Sequence, residues 1–210
     1  GMIIMAHGDD KGLKLPPKLA PHQIVIVPII PNDKDKDSVM KVVNQLNDSL
    51  SEFRVIIDDR SEVSPGFKFN EWEQKGVPLR VEVGPKDIEK NTILVSRRDD
   101  ESKNSYPVDD VENTLKKLLD EIQDNLYKNS ENTLKENTTH VESFSELIEV
   151  LNSKKGFVSC FWKENKEDEL KIKEETSATL RCYPLENTDS EKAVNSDSEN
   201  GNFAIFSKAY

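Results

Sequence analysis

One stretch constrains the chain more than any other: Ser64-Pro-Gly-Phe-Lys-Phe-Asn-Glu-Trp-Glu-Gln-Lys-Gly-Val-Pro-Leu-Arg-Val-Glu-Val-Gly-Pro85. Pro65-Gly66 marks a turn. Gly76-Val77-Pro78 ends the amphipathic run after about two or three helical turns, because proline disfavours helical backbone in the residue before it. Leu79, Val81 and Val83 then alternate with Arg80 and Glu82, the period of a half-buried strand. A helix feeding directly into a strand points to an α/β sheet. Arg80 and Glu82 fall on the face opposite the apolar set, where packing gives them no purpose.

The flanking segments supply the rest of a sheet. Gln23 to Ile30 is a continuous β-branched run, predicting a central strand covered on both faces. Asp37 or Ser38 caps a helix whose Val39, Val43, Leu46, Leu50 and Phe53 form one apolar stripe that packs on this strand. Arg54 to Arg60 is a second strand, and the strand–helix–strand unit requires a right-handed crossover. Asp58, Asp59 and Arg60 lie at its carboxyl end, where open α/β sheets gather binding groups. Lys86 to Asn91 reads as a hairpin-like approach to a strand over Thr92 to Arg98, adding an antiparallel pair to a parallel core. Pro107, with Asp109 and Asp110 in a first helical turn, opens a long helix carrying Val111, Leu115, Leu118, Ile122 and Leu126.

At 210 residues the chain has room for two domains. The polar, Asn-rich segment Asn125 to His140 marks the boundary. Beyond it, Phe144, Leu147, Ile148 and Leu151 predict a short helix. Gly156 to Trp162 and Thr179 to Leu185 predict strands flanking the charged segment Lys163 to Glu175, together a small α+β domain. Glu186 to Asn202 is acidic and poor in apolar residues, which predicts a mobile loop, and Phe203 to Phe206 a last strand. Residues 1–21 are too short to fold alone: Ile3 to Ala6 read as the end of a buried strand, His7 as a structural hydrogen-bonding group, and Pro16 to Pro21 as a turn with a short helical piece. No apolar run approaches the ~20 residues needed to span a bilayer, and the start lacks signal-peptide character. Cys160 and Cys182 match no zinc or redox spacing, which predicts two reduced, buried thiols in a cytoplasmic protein. The net charge of −11 argues against bulk attraction to nucleic acid, so any such contact needs a local basic patch.

Three motifs carry a family resemblance. His7-Gly-Asp-Asp-Lys-Gly-Leu-Lys-Leu-Pro-Pro-Lys-Leu-Ala-Pro21, leading into Gln23 to Pro28, resembles the tail of the third class II signature and the entry to the anticodon-binding domain of archaeal and eukaryotic-like prolyl-tRNA synthetases. Gly66 to Pro85 resembles that domain's signature, and Phe203 to Tyr210 the family's C-terminal end. The resemblance implies a remnant of the class II catalytic domain at 1–21, an anticodon-binding domain at 22–128 with a mixed five-stranded sheet and flanking helices, and a small α+β C-terminal domain at 129–210. It implies that the catalytic domain proper lies before Gly1 and that this portion alone does not activate proline. The complete enzyme would ligate L-proline to tRNA(Pro) with ATP and magnesium as a homodimer.

By position the resemblance places anticodon recognition on Phe69, Glu73, Arg80, Lys86, Arg97 and Lys103. The chemistry suits: the guanines of a proline anticodon offer N1–H and N2–H to a carboxylate such as Glu73, and O6 and N7 to Arg80 or Lys86. Phe69 is open between stacking on a base and packing in the core, whereas Trp72 reads as core. Each charge also has a plain alternative as a solvated group, or as a salt-bridge partner near Glu82. His7 and Gly8 map to the floor of the proline and adenylate pocket, and Tyr210 to a chain end that folds back toward it or simply anchors a strand. Many relatives hold zinc with four cysteines in the C-terminal domain. Here the first pair's positions are Lys163 and Asp168 and the region of the late pair, Lys192 to Gly201, has no cysteine, so zinc is not expected. The rival reading is a noncatalytic, synthetase-derived module that docks proteins through its acidic surface.

Overall fold

The computed structural model describes residues 1–186 and 189–208. Its first element is not the buried strand end expected at Ile3 to Ala6 but a short helix, α1 (Met2–His7), with no buried residue. Among the described residues no strand pairs with this segment, and its backbone bonds locally: the Met5 N–H donates to the Gly1 carbonyl at 3.1 Å and the Gly8 N–H to Ile4 at 2.8 Å.

β1 (Ile24–Pro28) is buried along its whole length. Ile24 and Ile26 face one core, Val25 and Val27 another, so both faces of the strand need cover. α2 (Lys36–Ser49) brings Val39, Val43 and Leu46 onto the first face, as their spacing predicts, and returns the chain to β2 (Val55–Ile57), parallel to β1. α3 (Pro65–Lys75) covers the second face. Ser64 caps it by accepting the Phe67 N–H, and Gly76 ends it at φ 74°, a left-handed position that favours glycine. β3 (Leu79–Val83) pairs parallel to β1. The approach to the next strand is a one-turn helix, α4 (Pro85–Glu89), in place of the expected hairpin-like link; Pro85 at its first position and the Asp87 carboxylate on the Gly84 N–H start it.

β4 (Thr92–Arg97) runs antiparallel to β3, and β5 (Lys103–Pro107) antiparallel to β4, giving the order β2-β1-β3-β4-β5. The mixed five-stranded sheet is thus completed by a mostly polar, exposed edge strand. α5 (Val111–Glu136) runs ten residues beyond Leu126, through the polar stretch expected to be a boundary. That stretch is rich in Glu, Lys and Asn, with few turn-forming residues to stop a helix already under way.

The chain divides at Ser130/Glu131 into two units. The second contains β6 (Thr138–His140), α6 (Phe144–Ser153), β7 (Phe157–Trp162), α7 (Lys166–Thr176), β8 (Ala178–Cys182), β9 (Ser190–Lys192) and β10 (Asn200–Lys208). The charged segment Lys163 to Glu175 is therefore mostly helix. Asn165 caps α7 by accepting from the N–H groups of Glu167 and Asp168, three acidic residues fill its first turn, and Ile172 buries completely. The acidic stretch 186–202 is not a plain loop: within its described residues β9 pairs with the start of β10, and Ala193 is buried. Cys160 is buried, its thiol pushed up to about 12 by burial, whereas Cys182 is exposed, a correction to the expectation of two buried thiols.

The joint that seats α3 is polar and buried. The Asp58 carboxylate, just past β2, accepts Arg60 Nε at 2.8 Å, Arg60 Nη2 at 2.7 Å and Trp72 Nε1 at 2.8 Å. Buried Lys68 donates to the Asp58 carbonyl at 3.0 Å, and Arg60 continues to Glu71 at 2.7 Å. Hydrogen bonding from Arg60, then from Trp72, holds the Asp58 carboxyl down to about 2. A lowered carboxyl pKa stabilises the fold above its unfolded value of 3.8 and loses that contribution as pH falls toward 2. Asp58→Ala should therefore destabilise the first unit by about 3–5 kcal/mol, leaving the Trp72 indole N–H without its acceptor and buried Lys68 with the backbone carbonyl but without the carboxylate 3.9 Å away. Urea titrations read by Trp72 fluorescence in a Trp162→Phe background, at neutral pH and near pH 3, check both the magnitude and the narrowing of the gap in acid.

Candidate functional site

α2 and α5 cover one face of the first sheet, while α3 alone packs against the other, over β1. Beside α3, where β3, β4 and β5 continue, lies a polar cleft of about 200 Å³. Strand register builds its floor: Arg80 on β3 pairs with Ser96 on β4, which pairs with Lys103 on β5, so the three sit in one cross-strand row.

Glu82, two residues along from Arg80, organises this row although it is only 5% exposed. Its carboxylate accepts Arg80 Nε at 3.2 Å and Lys103 Nζ at 2.9 Å, and the Ser96 hydroxyl at 3.4 Å. Arg80 Nη2 donates to the Ser96 hydroxyl at 3.3 Å, and its guanidinium lies 4.2 Å from the centre of the Phe69 ring. Arg80 is thus held as a flat plate, by hydrogen bonds at its edge and by an aromatic ring beneath. Phe69 is half-buried, packed against the core of Val25, Val27, Trp72 and Val77. Trp72 is core, with its indole N–H on Asp58.

Of the six residues that the resemblance singles out, Glu73, Arg80, Arg97 and Lys103 line the cleft and Phe69 underlies it. Lys86 does not: it stands exposed on α4, past the far end of β3. Arg97 is already engaged, with Nε and Nη2 on Asp99 at 3.0 and 2.8 Å and Nη1 on Glu121 at 2.9 Å. Burial would raise the Asp99 carboxyl, but the Arg97 guanidinium and the Asn125 amide outweigh it and lower it.

Sequence reasoning missed the opposite wall, lined by Lys11, Arg98 and Glu101 and backed by the packing of residues 9–15 against α3. Arg98 is 5% exposed, with Nε on the Glu73 carbonyl at 3.0 Å and both terminal nitrogens on the Asp9 carboxylate at 3.0 and 2.6 Å. Arg98, then Lys14, holds the Asp9 carboxyl well below the usual carboxylate range. The Leu13 N–H donates to Gln74 at 3.0 Å and the Leu15 N–H to Gly76 at 3.2 Å. This close approach requires glycine: a Cβ on Gly12, at φ 134°, would meet the Gln74 backbone at 2.5 Å, and one on Gly76 would meet Leu13 at 2.6 Å. Lys11 reaches over the cleft to Glu101, and its Nζ lies 3.8 Å from Glu73. The only advance signal was Gly12 within a run of charged residues. His7 and Gly8 lie outside the cleft, at the exposed end of α1, and Tyr210 lies outside the described residues.

Among the three arginines lining the cleft, only Arg80 keeps a nitrogen, Nη1, with no partner among the described residues. Beside it stands the Glu73 carboxylate, about a third exposed. The cleft therefore offers a donor plane and an acceptor within one lining, suited to a flat ligand with mixed hydrogen-bonding edges.

Comparison with known proteins reveals two family matches: "Anticodon binding domain" over residues 23–118, and "Prolyl-tRNA synthetase, C-terminal" over residues 144–210. The chain is 43% identical to a proline–tRNA ligase of Roseiflexus over its full length, covering 44% of that protein. It is 44% identical over 89% of its length to a proline–tRNA ligase of Natranaerobius thermophilus, covering 38% of that protein. The crystal structure of prolyl-tRNA synthetase from Cryptosporidium parvum, complexed with L-proline and AMP, is similar at TM-score 0.90 and 37% identity, over 99% of this chain and 44% of that one. The chain thus spans less than half the length of these relatives.

The Asp9–Arg98 pair should hold residues 12–15 against α3. Asp9→Ala should speed hydrogen exchange at the Leu13 and Leu15 amides on the order of tenfold or more while leaving exchange in β1 unchanged. Unaltered exchange at Leu13 and Leu15 would show that the glycine contacts suffice alone.

Proposed function

Since the chain belongs to the prolyl-tRNA synthetase family and carries its anticodon-binding and C-terminal domains, we propose that the cleft beside α3 reads the anticodon of tRNA(Pro). The observation that carries this reading is that an uncommitted Arg80 nitrogen and the Glu73 carboxylate line one cleft whose floor is fixed by strand register. Glu73 accepts N1–H and N2–H of an anticodon guanine, and Arg80 donates to O6 or N7. A neighbouring anticodon base, not the one that takes these hydrogen bonds, stacks on the guanidinium plane, with Phe69 supporting that plane from below instead of meeting the base itself. Lys103, anchored on Glu82, and Lys11, anchored on Glu101, place positive charge where the anticodon backbone enters. Arg97 keeps a positioning role, and Lys86 is left to contact phosphate outside the cleft.

In this proposal residues 22–128 are the anticodon-binding domain, 129–210 the C-terminal domain and 1–21 the link to the catalytic domain, with His7 and Gly8 nearest its pocket. The whole protein ligates L-proline to tRNA(Pro), using ATP and magnesium, as a cytoplasmic homodimer; proline, ATP and magnesium are not assigned to the residues described. No helix among the described residues is long and apolar enough to cross a membrane.

The proposal also covers the position where relatives hold zinc. Here Asn195 accepts the Lys163 N–H at 3.0 Å and donates to the Lys163 carbonyl at 2.9 Å and the Asp168 carboxylate at 3.0 Å, and Lys163 pairs with Glu199. This hydrogen-bonded clasp takes the place of a metal, and Lys163 itself cannot be a thiolate ligand.

Two measurements follow. In fluorescence anisotropy with tRNA(Pro) transcripts, Arg80→Ala should weaken binding by about 1–3 kcal/mol, and changing both anticodon guanines to adenine should weaken the wild-type complex comparably. Equal affinity for both transcripts would remove the recognition claim. Asn195→Ala should destabilise the C-terminal unit by about 1–3 kcal/mol, whereas a chelator should leave its melting unchanged; one equivalent of retained zinc would overturn the clasp.

A further inference from the structure

The second unit has a basic groove that the anticodon reading does not use. Its volume is about 820 Å³, and its lining includes Lys154, Lys155, Phe157, Arg181, Ser207 and Lys208, with no acidic side chain. The cations lining the first-unit cleft, Lys11, Arg80, Arg97, Arg98 and Lys103, all have carboxylate partners. The four groove cations have none among the described residues; Lys208 reaches only the Asn152 amide oxygen, at 3.5 Å. In a chain of net charge −11, four converging unpaired cations do not follow from composition.

Local structure brings them together from three elements. Lys154 and Lys155 follow α6, where cations complement the negative end of the helix, which accounts for part of their charge. Arg181 has a different cause. β8 pairs Leu180 with Phe206 and Cys182 with Ile205, so Arg181 is the extra residue of a bulge, a device that re-aims a side chain. Lys208 comes from the end of β10, one residue after Ser207, whose hydroxyl donates to the Gly156 carbonyl at 2.9 Å and closes the groove floor. Phe157 is 37% exposed at the first position of β7.

Mutually repelling cations around an exposed aromatic ring are costly to the isolated fold and useful to a ligand that carries phosphates and flat rings. We propose that this groove binds the sugar-phosphate backbone of single-stranded RNA, with Lys154, Lys155, Arg181 and Lys208 on phosphates and Phe157 against a base. This site is independent of the anticodon cleft.

The test uses the 210-residue chain and a fluorescein-labelled decauridylate, followed by anisotropy across a salt series. Wild type should bind saturably, with affinity falling as salt rises. K154E/K155E should weaken binding roughly tenfold or more and lower the log–log salt slope by about 1.4, the share of two phosphates on a single strand. R181E should act in the same direction, and F157A should weaken binding without changing the slope. R80A, which removes the proposed anticodon contact, should leave this binding in place, so the two readings fail separately. Absence of saturable binding, equal affinity of K154E/K155E and wild type, or loss with R80A alone would overturn the proposal. Binding of inorganic polyphosphate with no binding of the oligonucleotide would overturn it as an RNA site.

Discussion

Burial of one carboxylate sets where everything functional can lie in the first unit. Asp58 ends β2 beneath α3 and takes the indole of Trp72 and the guanidinium of Arg60, while Lys68 closes on its carbonyl. An isolated charge at that depth would be prohibitive, so the partners must arrive together, and all of them except Arg60 ride on α3. This fixes α3 over β1 and no further across the sheet. The uncovered part of the face, over β3 to β5, becomes the cleft. The position of the cleft therefore follows from a polar joint one strand away.

The same logic of fixed charge governs the cleft itself. A protein with a large negative net charge cannot draw in an anionic ligand by its overall field, so positive groups must be held where they are needed. Glu82 does this for Arg80 and Lys103, Asp9 for Arg98, and Asp99 for Arg97. Each pairing removes rotamer freedom before a ligand arrives, which lowers the ordering cost of binding. Each also removes donors, and so the unspent nitrogen on Arg80 is what separates it from its neighbours.

Legibility in the sequence follows the range of the signal. The stripe of α2 and the two-sided burial of β1 are repeated within a few residues, and a periodicity reading finds them. The cap and stop of α3 are equally local. What stayed hidden depends on partners far away: Glu82 looks like a solvated charge until Lys103 arrives from β5, and Arg98 until Asp9 arrives from 89 residues upstream. β5 was unreadable as a strand because Lys-Asn-Ser-Tyr-Pro has no apolar alternation; it exists because the edge of β4 needs hydrogen-bond partners. α7 was obscured by charge, since it buries Ile172 and Thr176 and little else. At the other end, the apolar run of α1 resembles a strand, and only an adjoining sheet could make it one.

The resemblance named six recognition residues by position, and geometry sorts them in a way that position alone does not. Arg97 and Arg80 both line the cleft and both carry a guanidinium that carboxylates orient, so charge and proximity fail to distinguish them. The distinction is stoichiometric. Arg97 spends all three nitrogens on Asp99 and Glu121, and any hydrogen bond it gave a base would first break a charge-assisted one. Arg80 spends two, one of them on a hydroxyl, and sits over an aromatic ring. A ligand edge meeting Arg80 gains a hydrogen bond without the loss of one, and the neighbouring Glu73 carboxylate supplies the opposite polarity. In the proposed reading, discrimination between bases depends on that difference, because a site built to hydrogen-bond a particular edge rejects an edge that leaves its polar groups unpaired.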